Sequence, residues 1–307
     1  MTDRPVRRPK REPAVAEVGV VIATHDRRDS LLATLAELDR LPERPPTVVV
    51  DNASGDGTVA AVERAFPAVD VVALPRNRGV SARNIGVARL HTPYVALCDD
   101  DSWWRPASLG RAATLFRRFP SLGLLAARIL VGPWQRLDPV SAEMRGQAPP
   151  GLPGPRVHGF VACGALVRRA AFLDARGFCE RFLIGSEETL LALDMSAAGW
   201  DLCYVDELVA IHMPHGEHRA DRPWMSCRNA LWTSWMRMPL RIALAESWKL
   251  GREAIHDPVA RQAFLAALWG LPWAVSERRS GRRPVGRRDD GADYAGSCGS
   301  AETFRLD

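Results

Sequence analysis

YVALCDDDSWWRP, residues Tyr94 to Pro106, joins a short apolar run to three consecutive aspartates, two tryptophans and a proline. The run has the length and composition of a buried strand, and the aspartates fall at its carboxyl end. Adjacent carboxylates repel one another, so a fold that keeps three of them needs something to offset the charge. Taken alone, the triplet fits a solvated acidic turn that caps the next helix, or a cation and phosphate site.

Three similar runs lie upstream: VGVVIAT (18–24), TVVVD (47–51) and VDVVALP (69–75). Helical spacing separates them. Leu31, Leu32, Leu35 and Leu38 share one face after HDRRDS, NASGDGT is a turn opening a helix near Thr58, and Ser81 is placed to N-cap a helix through His91. This alternation predicts an α/β sheet whose strands are largely parallel. In open α/β sheets, ligands bind beyond the carboxyl ends of the strands. Here three ends carry polar groups: Thr24 to Asp26, Asp51 to Asn52, and Asp99 to Asp101.

Downstream, the spacing predicts a helix over 106–119 and a strand over about 122–131. GPWQRLDPVSAEMRGQAPPGLPGPRVHG, rich in Pro and Gly, reads as a mobile surface segment. FVACGALV reads as a strand, a helix is expected from about Glu187 to Gly199, and LCYVDELVAIHMPH returns as a strand. Beyond Arg222 the pattern is helical and holds six of the ten tryptophans. The expected division is a basic tail (1–16), an α/β domain (17–215), a helical extension (216–278) and a second tail (279–307). Within the α/β domain, 17–105 forms one half and 106–215 the other.

Each polar cluster admits chemistry and a plainer role. Asp99 and Asp101, the outer members of the triplet, can converge on one hard cation such as Mn²⁺ or Mg²⁺. Asp51 can accept from a base N–H or a ribose hydroxyl, or form its own turn. Arg83 in NRGVSARNIG (Asn77 to Gly86) can meet an anion at a helix N-terminus, or be an exposed arginine. Glu187 and Glu188 can cap their helix, or one can serve as a general base. His212 in AIHMPHG can complete a metal sphere or be structural, and His215 shares that motif.

Composition narrows the classes. At 307 residues with 47% apolar and 25% charged residues, the chain can bury a sizeable core. Its net charge of +5 sits mostly in RPVRRPKREP and SERRSGRRPVGRR near the two ends, which read as solvated tails rather than a nucleic-acid surface. Six cysteines show no zinc spacing and read as reduced core thiols. No leader-like segment and no run of roughly 20 apolar residues is present, so a cytoplasmic protein is expected.

The order of motifs resembles family 2 glycosyltransferases: VVIATHDR, VVVDNASGDGT, LPRNRGVSARNIGV, YVALCDDDSWW, GFCERFLIGSEETLLALDMSAAGW and YVDELVAIH. The likeness covers about residues 17 to 215. It implies a GT-A fold, that is, a Rossmann-like mixed, mainly parallel sheet flanked by helices, here with a helical extension. It also implies inverting transfer of one sugar from a nucleotide-diphosphate sugar, UDP- or dTDP-linked, assisted by Mn²⁺ or Mg²⁺. By position, Thr24, Asp26, Asp51, Asn77, Arg83 and Asp99 fall in the nucleotide site. Asp99, Asp101 and His212 fall on metal positions, and Glu188, with Glu187 beside it, falls on the catalytic base.

Two departures stand out: the base position holds Glu where Asp is common, and Leu190 replaces a frequent acid. Without a Gln-x-x-Arg-Trp motif or membrane spans, transfer of a single sugar to a discrete acceptor is expected, whether sugar, lipid-linked or natural product. The Gly-poor THDRRDS weakens the related nucleotidyltransferase reading, and the complete triplet argues against a non-catalytic binding module. WTSWMRMPLRIALAESWKL has the mixture of an interfacial helix, or of a packing face, so peripheral contact with the inner membrane surface stays open.

Overall fold

The computed structural model describes residues 16–214 and 223–279. His215 and almost all of both basic tails lie outside the described residues. The strands are β1 (Val18–Thr24), β2 (Thr47–Asp51), β3 (Asp70–Ala73), β4 (Tyr94–Cys98), β5 (Ser102–Trp104), β6 (Leu122–Val131), β7 (Arg136–Leu137), β8 (Ala165–Arg168) and β9 (Asp201–His212). They form one sheet in the order β3-β2-β1-β4-β8-β6-β9-β5, with β7 on the edge of β6. β1, β2, β3 and β4 are mutually parallel, and β6 with β9 makes a long parallel ladder. β8 runs antiparallel between β4 and β6, so the sheet is mixed as expected.

Helices α1 (Arg28–Asp39), α2 (Thr58–Ala65), α3 (Ala82–Arg89), α4 (Ser108–Arg118), α5 (Pro139–Glu143), α6 (Arg169–Asp174) and α7 (Glu187–Ala197) accompany the sheet. The period of two along the strands divides the core. Val18, Val20 and Ile22 of β1 pack on one side with Leu31, Leu35 and Leu38 of α1 and Leu109 and Phe116 of α4. Val21 packs on the other with Val87 of α3, Phe172 of α6 and Met195 of α7. Burial on both faces explains why these strands read as unbroken apolar runs rather than alternating ones. Each fully buried aliphatic side chain contributes about 1.5–3 kcal/mol.

A third apolar cluster joins α8 (Pro223–Arg237), α9 (Leu240–Glu253) and α10 (Pro258–Ser276) to Phe182 and Leu190 at the start of α7. Trp232 fills its centre, and its indole N–H donates to the Ala267 carbonyl at 2.9 Å.

Several local expectations needed adjustment. The segment expected to be mobile contains β7 and α5 and is tied down: Val157 N–H donates to Leu202 O and Tyr204 N–H to Pro155 O. Backbone pairing to β9 there overrides the loop-like composition. FVACGALV yields only the short β8, after a single 3₁₀ turn at Ala162–Gly164. Ser81 occupies the N-cap position of α3 without capping it, because its hydroxyl donates to Arg78 O, and α3 stops at Arg89. Among the described cysteines, Cys98, Cys163 and Cys203 are buried free thiols and Cys179 is half-buried and free, whereas Cys227 is disulfide-bonded, against the expectation of reduced thiols throughout.

Gly86 lets α3 lie directly on the sheet, since a Cβ there would stand 2.6 Å from Cγ1 of Val21. Gly86→Val is expected to cost about 1–3 kcal/mol through overpacking, read as a lower urea midpoint at unchanged slope.

Candidate active site

Parallel pairing sets Thr24 beside Asp51 and carries the end of β4 to the same edge of the sheet. The aspartate triplet follows β4 immediately, and β5 then turns back onto the end of β9, pairing Ser102 with His212. Met213 N–H donates to Asp101 O at 2.8 Å and closes the junction. Residues 101 and 212 thus meet although the sequence separates them widely. His212 Nε2 lies 3.3 Å from Asp101 Oδ1. One ligand atom each from Asp99, Asp101 and His212 falls within 4.8 Å of the others.

Two arginines answer the acidic charge. Arg83, 94% buried, forms an ion pair with Asp99, and its Nε is buried without a partner. Arg27 spans Asp100 Oδ1 at 3.0 Å and Asp101 Oδ2 at 2.7 Å. Asp100 also accepts from Thr24 Oγ1 at 2.8 Å, and its carbonyl accepts from Ser30 Oγ and Thr34 Oγ1. The middle aspartate is therefore the hub that fixes the turn to β1 and α1, while Asp99 pairs with Arg83 and Asp101 with Arg27 and His212. Burial pushes the Asp100 carboxyl up to about 6, against the pull of Arg27 and Thr24.

The nucleotide-side candidates divide. Asp51, 2% exposed, accepts from Ser54 N–H at 2.9 Å through one oxygen, while its other oxygen, Oδ1, is buried with no partner. Leaving such an acceptor unmet costs about 1–3 kcal/mol. Asp26 sits at φ 52° and holds Gly55 N–H at 2.7 Å. Asn77 is exposed, and its side chain accepts from Gly79 N–H in a local turn. The neighbouring buried link is Asn52, which accepts from Arg78 N–H and donates to Gly79 O.

Glu187 and Glu188 open α7. Glu187 is buried, and its Oε2 has no partner. Glu188 keeps part of its surface open although protein surrounds it densely; burial and then the adjacent Glu187 push its carboxyl up to about 8. Burial also raises Glu187. Burial alone would lower the Arg83 guanidinium, but Asp99, Glu187, Glu188 and Asp100 together hold it above its ordinary value. Likewise burial works to lower His212, and its bond to Asp101, together with the charges of Asp101, Asp99 and Asp138, reverses the sign. Three aspartates and two glutamates thus face two guanidinium groups. Oxygen ligands with one imidazole, in a region short of positive charge, suit a divalent cation.

Residues 19–175, more than half of the chain, match the model of "Glycosyl transferase family 2". The chain belongs to that family. This family 2 glycosyltransferase is 27% identical over 280 residues to an N-acetylglucosaminyl-diphospho-decaprenol L-rhamnosyltransferase of Mycobacterium tuberculosis, covering 75% of the chain and 90% of the relative. A shorter match, 30% over 100 residues, is to the uncharacterized glycosyltransferase YwdF of Bacillus subtilis, covering 32% of the chain and 37% of the relative.

Among solved structures, the enzyme superposes on the mannosyltransferase PcManGT of Pyrobaculum calidifontis, in complex with GDP-Man and Mn²⁺. The TM-score is 0.53 at 17% identity, over 87% of this chain and 75% of that one. For S. aureus TarS 1–349 in complex with UDP-GlcNAc, the TM-score is 0.55 at 17% identity, over 71% and 65%. These likenesses show the GT-A fold. Arg27 and Asn84 were not among the residues singled out from sequence, while Asp100 and Asn52 were noted only as members of polar strand ends, without the contacts the structure gives them.

The Glu188 shift gives a signed stability effect. Its carboxyl moves from an ordinary 4.5 to about 8 on folding, so ionisation opposes the fold increasingly between those values and fully above the upper one. Glu188→Gln is expected to melt a few degrees above the parent at about pH 8.5, with the difference vanishing toward about pH 4.5. Differential scanning fluorimetry across that range measures it.

Proposed function

We propose that this glycosyltransferase moves one sugar from a nucleotide-diphosphate sugar to an acceptor hydroxyl with inversion, and that Glu188 is the base. The observation that carries the reading is the meeting of Asp99, Asp101 and His212 beside Arg83 and the Glu187–Glu188 pair at one strand edge. Asp51 Oδ1 is a buried acceptor suited to a base N–H, with Thr24, Asp26 and Asn77 around the nucleotide and Asp99 toward its ribose. Asp99, Asp101 and His212 would hold the divalent ion, which when bound supplies positive charge to the diphosphate.

Arg83 offers its unpartnered Nε to the same leaving group. Glu188 takes the acceptor hydroxyl proton as that oxygen attacks the anomeric carbon. The bond to the diphosphate oxygen breaks from the opposite face, and the nucleoside diphosphate departs with the electron pair. One displacement leaves the anomeric configuration inverted. Glu187 orients the base or binds an acceptor hydroxyl through Oε2.

The acceptor we infer is lipid-linked. A decaprenyl-diphosphate sugar is named for the mycobacterial relative, and the helical extension carries the surface such an acceptor needs. Trp248 on α9 and Trp269 on α10 are 72% and 91% exposed, beside exposed Leu240, Leu244, Leu265 and Leu268. Arg241, Lys249, Arg252 and Arg261 accompany them, a pairing that suits an anionic bilayer surface. No helix among the described residues is long and apolar enough to cross a membrane, so contact would be peripheral.

Donor hydrolysis across a nucleotide-sugar panel, with and without Mn²⁺ or Mg²⁺, tests the chemistry. Turnover is expected to require metal, to fall about 100-fold or more in Asp101→Asn and to fall about 10²–10⁴-fold in Glu188→Gln. Full activity in either variant defeats the site assignment.

Co-sedimentation with anionic and neutral liposomes tests the surface. Binding should weaken in high salt and on Trp248→Ser with Trp269→Ser, and absence of binding at any salt excludes membrane contact.

A further inference from the structure

The segment that delivers Glu187 and Glu188 is held from two sides by parts of the chain remote from it. On the sheet side, Asn84 of α3 bonds Phe178 twice: its Nδ2 donates to Phe178 O at 2.8 Å, and its Oδ1 accepts from Phe178 N–H at 2.9 Å. Val80 N–H donates to Leu183 O at 2.9 Å. Gly79, at φ 59°, leaves no room for a Cβ, which would fall 2.0 Å from that same carbonyl.

On the other side stands Asn229 of α8, fully buried. Its Nδ2 donates to Phe182 O at 3.0 Å, Ile184 O at 3.0 Å and Gly185 O at 2.7 Å. Its two N–H groups are shared among three carbonyls of one irregular loop. Arg228 sets the amide the right way round, its Nε and guanidinium NH₂ donating to Asn229 Oδ1 at 3.0 and 2.8 Å. That guanidinium lies 4.4 Å from the Trp232 ring centre, which anchors it in the helical cluster.

The loop is not one a free chain prefers. Leu183, Gly185 and Ser186 have φ of 62°, 89° and 61°, and residues other than glycine avoid this left-handed region. A Cβ on Gly185 would meet Ser226 Oγ at 2.3 Å, and Ser186 Oγ donates to Ser226 O at 3.1 Å. The strained turn therefore persists because α8 is pressed against it and satisfies its carbonyls.

We propose that Asn229 is a positioning residue for the Glu187–Glu188 pair, which makes the C-terminal helices part of the catalytic apparatus rather than an appendage. The proposal rests on the reading of Glu188 as the base. Asn229 touches neither substrate nor the reacting atoms. It acts by fixing where α7 begins, and displacement of a base by about 1 Å is enough to cost about 10²-fold in rate.

The test is a double-mutant cycle of Asn229→Ala and Glu188→Gln, with turnover, donor KM and melting temperature against pH as readouts. Asn229→Ala is expected to lower kcat at least about ten-fold with donor KM held within about three-fold. In that background the extra alkaline melting temperature given by Glu188→Gln should shrink to about half or less, because the carboxyl is no longer held in place.

Should Asn229→Ala fail to fold, Arg228→Met removes both bonds to Asn229 Oδ1 and the Arg228 bond to Phe182 O, and carries the same readouts. A kcat within about two-fold of the parent overturns the proposal, as does strict additivity of the two melting shifts. Parental turnover in Glu188→Gln together with non-additive melting overturns the base assignment and keeps the positioning of the carboxylate pair.

Discussion

A guanidinium almost sealed from water, Arg83, lies against Asp99 where the fourth strand ends, and much of the molecule is arranged around that contact. A buried charge is tolerated only when its partner is fixed by the surrounding fold. Here α3 brings the arginine and β4 brings the aspartate, while the start of α7 adds Glu187 and Glu188 to the same field. None of these groups would be stable in this setting alone. Asp100 completes the arrangement by binding back to Thr24 and Arg27, which ties the acidic turn to the first strand and helix.

The second dependence is mechanical. A loop with three left-handed residues precedes the glutamates, and two asparagines hold it, one on the sheet side and one on the helical extension. The apolar cluster around Trp232 explains why α8 can bear on the loop firmly. Packing of the extension and placement of the glutamate pair are therefore one problem, joined at residues 182–186. The helix that follows this strained loop opens with Glu187, whose Oε2 is buried without a partner.

Much of the fold could be read from the chain because its cause is local or periodic. The strands at 18–24, 47–51 and 94–98 follow from unbroken β-branched runs, and α7 follows from its acidic start and apolar spacing. The short β5 was not foreseen: three residues carry no periodicity, and only pairing with the end of β9 makes them a strand. The Pro- and Gly-rich stretch before β8 was misjudged for a related reason, since its order comes from bonds to β9 rather than from its own residues. Asp100 looked the least useful of the triplet because nothing in its neighbours reveals that Thr24 and Arg27 approach it.

The sequence by itself determined the alternation of strands and helices, the polar groups at the strand ends, and the family to which their order belongs. Those features depend on residue type and spacing along a few turns of chain. Only the tertiary structure decided that His212 reaches Asp101, that Arg83 is buried against Asp99, and that Asn229 holds the approach to Glu188. Each of these joins elements far apart in the chain, and their meeting is set by strand order and helix packing, which no local pattern encodes.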